Sequence, residues 1–464
     1  MSGLEISEYN LVDVLGNKDY RWDSNFYTTK IFYNKKLKYR PIGEVITKSQ
    51  YGISRSMNED KGVPIYRMNE IHNMLCDNYV DKFVEMTTDE FETFKLKDGD
   101  VLFNRTNSYQ FVGRTGIYYK KGTQDKVFAS YLVRFNTDKN TILPEYLTVF
   151  LNTKYGLLDI RRRSRPSINQ TNVNPEEVKE ILIPILSMEL QERVARYIKK
   201  ADDLIYESER LYTLAEQILL DEIGLIDFNP TESNVSIKRF TDSFLESGRL
   251  DAEYYQPKYD YIEEAIMKSP KGYDYIKNKF KRNKTKIGEF NTYKYIEIGD
   301  IDIGSGSYEY KEVDSEILPA NAKIKTYSGD VLVSTVRPNR GAVSIITEDA
   351  NNLVCSGAFT VLQEIADYNK ETLFVLLRSK PYRELLLKYN SGTSYPVIKD
   401  DDVMNIVIPI IDNVKQNKIK RKIDEINIAR EKSRKLIQKS KKAVEMAIEF
   451  GEEKTIEFLN KQKE

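Results

Sequence analysis

The sequence has few of the residues that usually carry chemistry. Its 464 residues include one histidine, His72, and two cysteines, Cys76 and Cys355. A two-metal histidine cluster is excluded, and a Ser-His-Asp triad must pass through His72 or be absent. Two cysteines are too few for a disulfide scaffold or a cysteine-rich zinc site, which points to a reducing, cytoplasmic setting. No apolar run approaches the ~18 residues of a membrane span. The start, Met1-Ser-Gly-Leu-Glu5, lacks the basic-then-apolar order of a secretory signal. An excess of one charge is missing too. Lys plus Arg number 71, Asp plus Glu number 71, and the net charge is zero. A uniformly basic nucleic-acid coat protein is thereby excluded, while local basic faces remain open.

Enzyme signatures are as sparse. A phosphate loop ending Gly-Lys-Ser/Thr is absent. Asp302-Ile-Gly-Ser-Gly306 resembles a glycine-rich turn for S-adenosylmethionine, but no Asn-Pro-Pro-Tyr or Asp-Pro-Pro-Tyr run follows it. A hairpin connection is the expected use. Carboxylates near lysines, such as Glu92 and Lys95, form no distinct nuclease pattern. His72 is expected in a structural or surface role, and no metal site is indicated.

What the sequence does contain, it contains twice. Arg21-Trp-Asp-Ser-Asn-Phe-Tyr27 is matched by Arg249-Leu-Asp-Ala-Glu-Tyr-Tyr255, 228 residues on. Ile65–Ile71 is matched by Tyr295–Ile301, and Gly99-Asp-Val-Leu102 recurs identically as Gly329-Asp-Val-Leu332, both 230 residues on. Glu177-Val-Lys-Glu-Ile-Leu-Ile-Pro-Ile185 is matched by Asp402-Val-Met-Asn-Ile-Val-Ile-Pro-Ile410, 225 residues on. Several matches in one order at nearly one offset imply two homologous halves, not a short-period solenoid. In each half a Gly-Asp turn feeds a strand. A helix follows, with Leu147, Phe150 and Leu151 on one face, or Leu373, Leu376 and Leu377. Then come a polar loop, a short apolar strand and a long helix.

The first long helix is expected over about Ser187 to Leu220. Its spacing of Leu190, Val194, Tyr197, Ala201, Leu204, Ser208, Leu211, Ala215 and Ile218 is a heptad seam. Ile419, Ile426, Ala429, Ser433, Leu436, Ser440 and Ala443 repeat it. Each helix exceeds 30 residues and would span roughly 50 Å at about 1.5 Å per residue. The expectation is two antiparallel helices, close at Ala201, Ser208, Ala429 and Ser433. Two related heads would sit on this spacer, an arrangement suited to two short DNA tracts with unread base pairs between them.

Basic and polar runs supply the candidate contacts. Arg161-Arg-Arg-Ser-Arg165 places Arg162, Arg163 and Arg165 beside Ser167, Asn169, Gln170 and Asn172. Lys277–Lys286 includes Lys281, Arg282 and Lys284. Guanidinium forks suit phosphate oxygens and guanine edges; a solvated face is the alternative for any charge run. The polar loop Ser49–Ser56 offers Tyr51 and Arg55. Beyond the two Gly-Asp-Val-Leu strands lie Asn104, Arg105 and Thr106 in one half, and Arg337, Asn339 and Arg340 in the other.

These features together resemble the specificity subunit of type I restriction-modification systems. The resemblance rests on Arg-x-Asp-x-x-(Tyr/Phe)-Tyr, on Gly-Asp-Val-Leu, and on the polar loop before a strand ending Ile-Pro-Ile. It rests also on Glu189-Leu-Gln-Glu-Arg-Val194 at the helix start. The loop is Ser164–Asn172 in one half and Ser391-Gly-Thr-Ser-Tyr395 in the other, adding Thr393, Ser394 and Tyr395 as candidate DNA contacts. The second helix start, Asp412-Asn-Val-Lys-Gln416, keeps only the glutamine.

The resemblance implies an α+β fold: two homologous α/β target-recognition domains related by a pseudo-two-fold and separated by two long antiparallel coiled-coil helices. Residues 1–186 and 226–411 would be the target-recognition domains, with 187–225 and 412–464 the spacer helices. Seam packing falls to Val194, Ala201, Leu204, Ser208, Leu211, Ile426, Ala429, Ser433 and Leu436. The implied function is non-catalytic, sequence-specific recognition of a bipartite, asymmetric double-stranded DNA site. Two copies of an adenine-N6 methyltransferase subunit, joined by restriction subunits that translocate and cut DNA, would be directed there. S-adenosylmethionine, ATP and Mg would belong to those partners, with no cofactor on this chain and no membrane. The competing reading is a protein-interaction scaffold with two binding heads on a coiled-coil spacer.

Overall fold

The computed structural model of the chain describes residues 8–15, 21–58, 61–168, 170–229, 235–392 and 394–461. It forms two compact α/β units, Met1–Tyr206 with Ala429–Glu464, and Glu207–Ile428. Both boundaries fall inside long helices, Met188–Glu222 and Asn413–Phe450, so each unit includes part of both.

The first unit is built on a six-stranded sheet. Its order is Ile46–Tyr51, Leu132–Thr137, Asp100–Asn104, Thr115–Tyr118, Leu75–Cys76, Ile71–His72. Val101, Leu102 and Phe103 are all buried, so the central strand is covered on both faces and reads as a continuous apolar run. The helix Pro144–Asn152 packs Leu147, Val149, Phe150 and Leu151 into that core. The second unit has a four-stranded sheet ordered Phe280–Arg282, Phe359–Glu364, Val331–Ser334, Val343–Ile345. This is the same succession of repeat-equivalent strands as the first four of the larger sheet. A small antiparallel pair also recurs: Tyr39–Pro41 with Leu182–Pro184, and Tyr273–Tyr275 with Val407–Pro409.

The duplication extends to individual hydrogen bonds. Arg21 Nε donates to Asp23 and Tyr27 Oη to the Arg21 carbonyl, at 2.7 and 2.9 Å. Arg249 Nε donates to Asp251 and Tyr255 Oη to the Arg249 carbonyl, at 2.8 and 3.0 Å. Gln191, buried near the first helix start, accepts from the Leu143 amide and donates to the Leu186 carbonyl, at 2.8 and 2.9 Å. Gln416 accepts from the Asn369 amide and donates to the Ile411 carbonyl, at 2.8 and 3.0 Å. The glutamine kept at the divergent second helix start therefore joins that helix to its sheet layer.

In the first unit Leu190, Val194, Ile198 and Ala201 share a core with Ile437, Ala443, Val444, Ala447 and Ile448. The Ser433 hydroxyl donates to the Ala201 carbonyl at 2.9 Å, and the Ser187 amide to Glu452 at 2.9 Å, so these helix portions run antiparallel. In the second unit Ala215, Leu219 and Ile223 share a core with Ile419, Ile423 and Ile426. Ser208 and Ala429 are buried, while Leu204, Leu211 and Leu436 are half-buried. Ile437, beside Leu436, takes the deeper position. The second long helix stops at Gly451, whose φ of 89° leaves the helical region, and Glu452–Lys461 forms a separate helix.

The Gly-Asp turns hold the sheets. Gly99 and Gly329 have φ of 85° and 93°, where a side chain is disfavoured. Their amides donate to the Tyr118 and Ile346 carbonyls at 2.9 and 2.8 Å. The carboxylates of Asp100 and Asp330 are buried behind them but are compensated differently. Asp100 accepts from the Lys97 amide at 2.9 Å and pairs with buried Arg134 at 3.1 Å. Asp330 accepts only from neutral donors: the Tyr327 amide, Asn283 and Gln363, at 3.0, 2.9 and 2.9 Å. Burial raises the Asp330 carboxyl above the ordinary aspartate range. A raised folded-state value favours folding at pH below the unfolded value, and this contribution is lost as pH rises through the folded value. Asp330→Asn is therefore expected to be tolerated at neutral pH. Asp100→Asn leaves Arg134 buried beside a neutral group and should cost about 3 kcal/mol. Urea denaturation at neutral and acidic pH tests this; equal losses for the two variants at neutral pH would refute it.

Candidate nucleic-acid interface

The strands Ile46–Tyr51 and Asp100–Asn104 both pair antiparallel with Leu132–Thr137, so they run parallel and finish at one end of the sheet. There the loops meet around Arg105. Its amide donates to the Tyr131 carbonyl at 3.0 Å, its carbonyl accepts from the Val173 amide at 2.9 Å, and its Nη1 donates to the Ser130 carbonyl at 3.3 Å. The guanidinium lies 5.2 Å from the centroid of the exposed Tyr51 ring. Asn104 and Thr106 flank it but point inward. Asn104 is fully buried and accepts from the Thr106 amide at 3.2 Å; the Thr106 hydroxyl donates to Asn172 at 2.6 Å. These two position the loop and present nothing to solvent, contrary to the contact role expected of them.

The arginine run also differs from expectation. Arg163 is buried, donating to Asp159 at 3.0 Å and Glu180 at 3.2 Å, while its carbonyl accepts from Arg21 at 2.8 Å. Arg162 pairs with Asp159 at 3.0 Å and lies 4.6 Å from the Phe26 ring centroid. Arg165, half-exposed, pairs with Glu177 at 3.0 Å. The charge density therefore cross-links the helix Lys154–Arg163 to the Arg-x-Asp segment instead of forming a phosphate site. Arg55 is likewise committed, to Glu90 at 2.7 Å and the Glu85 carbonyl at 2.8 Å. That pairing, with the capping hydrogen bonds of Thr87, pulls the Glu90 carboxyl down to about 2.

In the second unit the corresponding sheet end is more open. Lys281, Lys284, Arg337 and Arg340 are exposed. Arg337 has φ of 50°, and its amide donates to the Pro396 carbonyl at 2.7 Å. Its guanidinium lies 5.4 Å from the centroid of the exposed Tyr395 ring. Ser394 is exposed beside it, Asn339 is half-buried, and Thr393 lies outside the described residues. Arg282 is the exception, paired with Asp400.

Backbone pairing corrects the apparent match between Arg105 and Arg337. The Thr335 amide donates to the Ala358 carbonyl and its carbonyl accepts from the Ile398 amide, both at 2.9 Å. Thr335 therefore occupies the Arg105 position, and Arg337 corresponds to Asn107, whose strand pairs with Thr171–Asn172. Sequence reasoning missed Asn107, the exposed Gln110, and Ile168, which is 97% exposed beside the strand Arg165–Pro166. Neither polar strand ends nor a lone exposed isoleucine stands out in composition.

The Asp302–Gly306 turn is closed by its own contacts. Gly304 and Ser305 donate to the Asp302 carboxylate at 2.9 and 2.6 Å, and Arg378 donates to the Gly304 carbonyl at 2.7 Å. A Cβ on Gly306 would lie 2.5 Å from Phe374, so the glycine permits packing against that helix. His72 pairs through Nδ1 with Asp77 at 2.9 Å. Among the described residues no group of three His, Cys, Asp or Glu could hold a metal ion, and no helix is long and apolar enough to cross a membrane.

Residues 34–217 match the model of the type I restriction modification DNA specificity domain. The match covers under half of this chain. Its relatives are specificity subunits of type I restriction enzymes. A putative one, MjaX of Methanocaldococcus jannaschii, is 26% identical over 168 residues, covering 36% of this chain and 39% of the relative. EcoKI of Escherichia coli K12 is 27% identical over 168 residues, covering 36% and 35%. These alignments thus span well under half of either relative. MjaVIII of Methanocaldococcus jannaschii is 24% identical over 391 residues, covering 80% of this chain and 82% of the relative. The solved type I S subunit from M. genitalium is 11% identical with a TM-score of 0.38, covering 89% of this chain and 96% of that one.

The side-chain contacts separate cross-linking arginines from exposed ones. Arg163→Ala should cost about 3 kcal/mol, because it breaks the buried Arg163–Asp159 pair and leaves that buried carboxylate with Arg162 alone. Arg340→Ala should stay within ~0.5 kcal/mol. Chemical denaturation of the two variants measures both, and indistinguishable midpoints would refute the distinction.

Proposed function

We propose that the whole chain is the DNA specificity subunit of a type I restriction-modification system. The observation that carries this is the repetition, in the second unit, of the strand order and hydrogen-bonded motifs of the domain matched at residues 34–217. Each unit would read one part of a bipartite, asymmetric duplex site. The two target-recognition domains would be related by a pseudo-two-fold, with the long helices as a coiled-coil spacer. At equivalent strand ends the side chains differ, Arg105 against Thr335 and Asn107 against Arg337, so the half-sites would differ in sequence. Arginine and asparagine suit base edges in the major groove, while lysine and arginine supply phosphate attraction.

In this reading the chain performs no chemistry. It directs two copies of an adenine-N6 methyltransferase subunit, and restriction subunits, to the site in the cytoplasm. Those partners carry S-adenosylmethionine, ATP and Mg. The test is co-purification with a candidate methyltransferase subunit of the same genome, then methylome sequencing with and without this chain. Loss of one bipartite N6-methyladenine motif is expected. An unchanged methylome without a methyltransferase partner would favour a protein-interaction scaffold. Arg105→Ala and Arg337→Ala should each weaken recognition of one half-site, by about 1–3 kcal/mol where the side chain contacts a base. Unchanged affinity in both would remove these residues from the interface.

A further inference from the structure

The two units differ in what their basic residues are free to do. In the first, Arg55, Arg162, Arg163 and Arg165 are each held by a carboxylate, of Glu90, Asp159 or Glu177. Arg105, at the strand ends over the Tyr51 ring, has no carboxylate partner among the described residues. In the second, Lys284, Arg337 and Arg340 are exposed, and no ion pair joins them to a carboxylate among the described residues.

Strand register makes the comparison position by position. Tyr51 is opposite Val133. Lys284 takes the same place in the second sheet, two residues beyond Arg282, which is opposite Leu362. Asn107 and Arg337 are equivalent through their pairings with Thr171 and Pro396. The return connection carries neutral Ser108, Tyr109 and Gln110 in the first unit and Arg340 in the second. Two matched positions thus change from neutral to cationic and the return connection gains Arg340, against reverse changes of Arg105 to Thr335 and of Arg114 to Ala342, the latter two accepting through their carbonyls from the equivalent Asn104 and Ser334 amides.

Resting on the specificity-subunit reading, we infer that the units divide the work of binding unequally. The second unit, through Lys284, Arg337 and Arg340, anchors the duplex by its phosphates and supplies most of the salt-dependent affinity. The first reads its half-site mainly through neutral polar and aromatic groups together with Arg105. The partner this surface fits is the phosphate backbone of double-stranded DNA, because cations without internal counter-charges release condensed counterions when they meet phosphates. Paired arginines exchange one counter-charge for another and gain little.

The experiment measures the affinity of the full chain for a mixed-sequence duplex from about 50 to 200 mM salt. Each phosphate contact contributes about −0.9 to the slope of log K against log salt. Lys284→Gln, Arg337→Gln and Arg340→Gln should each flatten the slope by that step. Arg55→Gln and Arg165→Gln should leave it unchanged. Glu90→Gln keeps a residue able to close the capping box with Thr87 while releasing Arg55, and should steepen the slope by a similar step. Unfolding midpoints verify that each variant is folded. Equal flattening by first-unit and second-unit variants, or no flattening by the second-unit set, would overturn the division of work. A folded wild-type chain with no salt-dependent duplex affinity would instead overturn the DNA-binding reading.

Discussion

The buried aspartate behind each left-handed glycine organises both units. Its carboxylate closes the turn by accepting a backbone amide three residues earlier, and also holds side chains on adjoining strands. Gln363 reaches Asp330 from the strand Phe359–Glu364, and Asn283 reaches it from the chain just after Phe280–Arg282. Three adjacent parts of the sheet are thus tied to one buried group, which fixes their register and the end at which they finish. A buried carboxylate is costly unless satisfied. The first unit satisfies it with Arg134, the second with amides. The raised titration of Asp330 reflects the weaker compensation of its charge.

This frame explains why the halves diverge at the strand ends and not in the scaffold. Residues that build the scaffold recur as pairs: Arg21 and Arg249, Gly99 and Gly329, Gln191 and Gln416. Each pair shares its principal bonds: Arg to the Asp two residues on, Gly to a carbonyl of the adjoining strand end, and Gln to a backbone amide and carbonyl. Past the strand ends the backbone pairing continues for two or three residues while the side chains differ between the halves. A rigid support with variable tips allows new contacts without refolding.

Much of the fold was legible because hydrophobic period and turn chemistry are local. The Gly-Asp-Val-Leu strands, the helices with Leu147 and Leu373, and the two long helices lie where periodicity indicates, while Ile198 and Ile437 are buried more deeply than the expected seam residues Tyr197 and Leu436. The interface was less legible because charge runs do not reveal their partners. Asp159, Glu177 and Glu180 are close in sequence to Arg161–Arg165, yet folding was needed to show that they neutralise it. Asn104 looked accessible at a strand end and is fully buried. Repeat alignment also slipped locally: Arg105 and Arg337 share a motif neighbourhood but occupy positions two residues apart on the shared backbone.

That two-residue difference has a physical consequence. At the Arg105 position the side chain lies over the ring of Tyr51, from the strand on the far side of Leu132–Thr137, and donates to the Ser130 carbonyl, so its direction is restrained. At the Arg337 position the backbone is left-handed and the guanidinium stands by Tyr395, from the loop before the final strand. The first geometry presents a braced donor. The second places a cation on a loop, where position tolerates more variation. Bidentate reading of a base edge requires the former, whereas attraction to phosphate oxygens tolerates the latter. Two arginines in similar sequence surroundings, each beside a tyrosine ring, thereby differ in backbone conformation and in the hydrogen bond that holds the guanidinium.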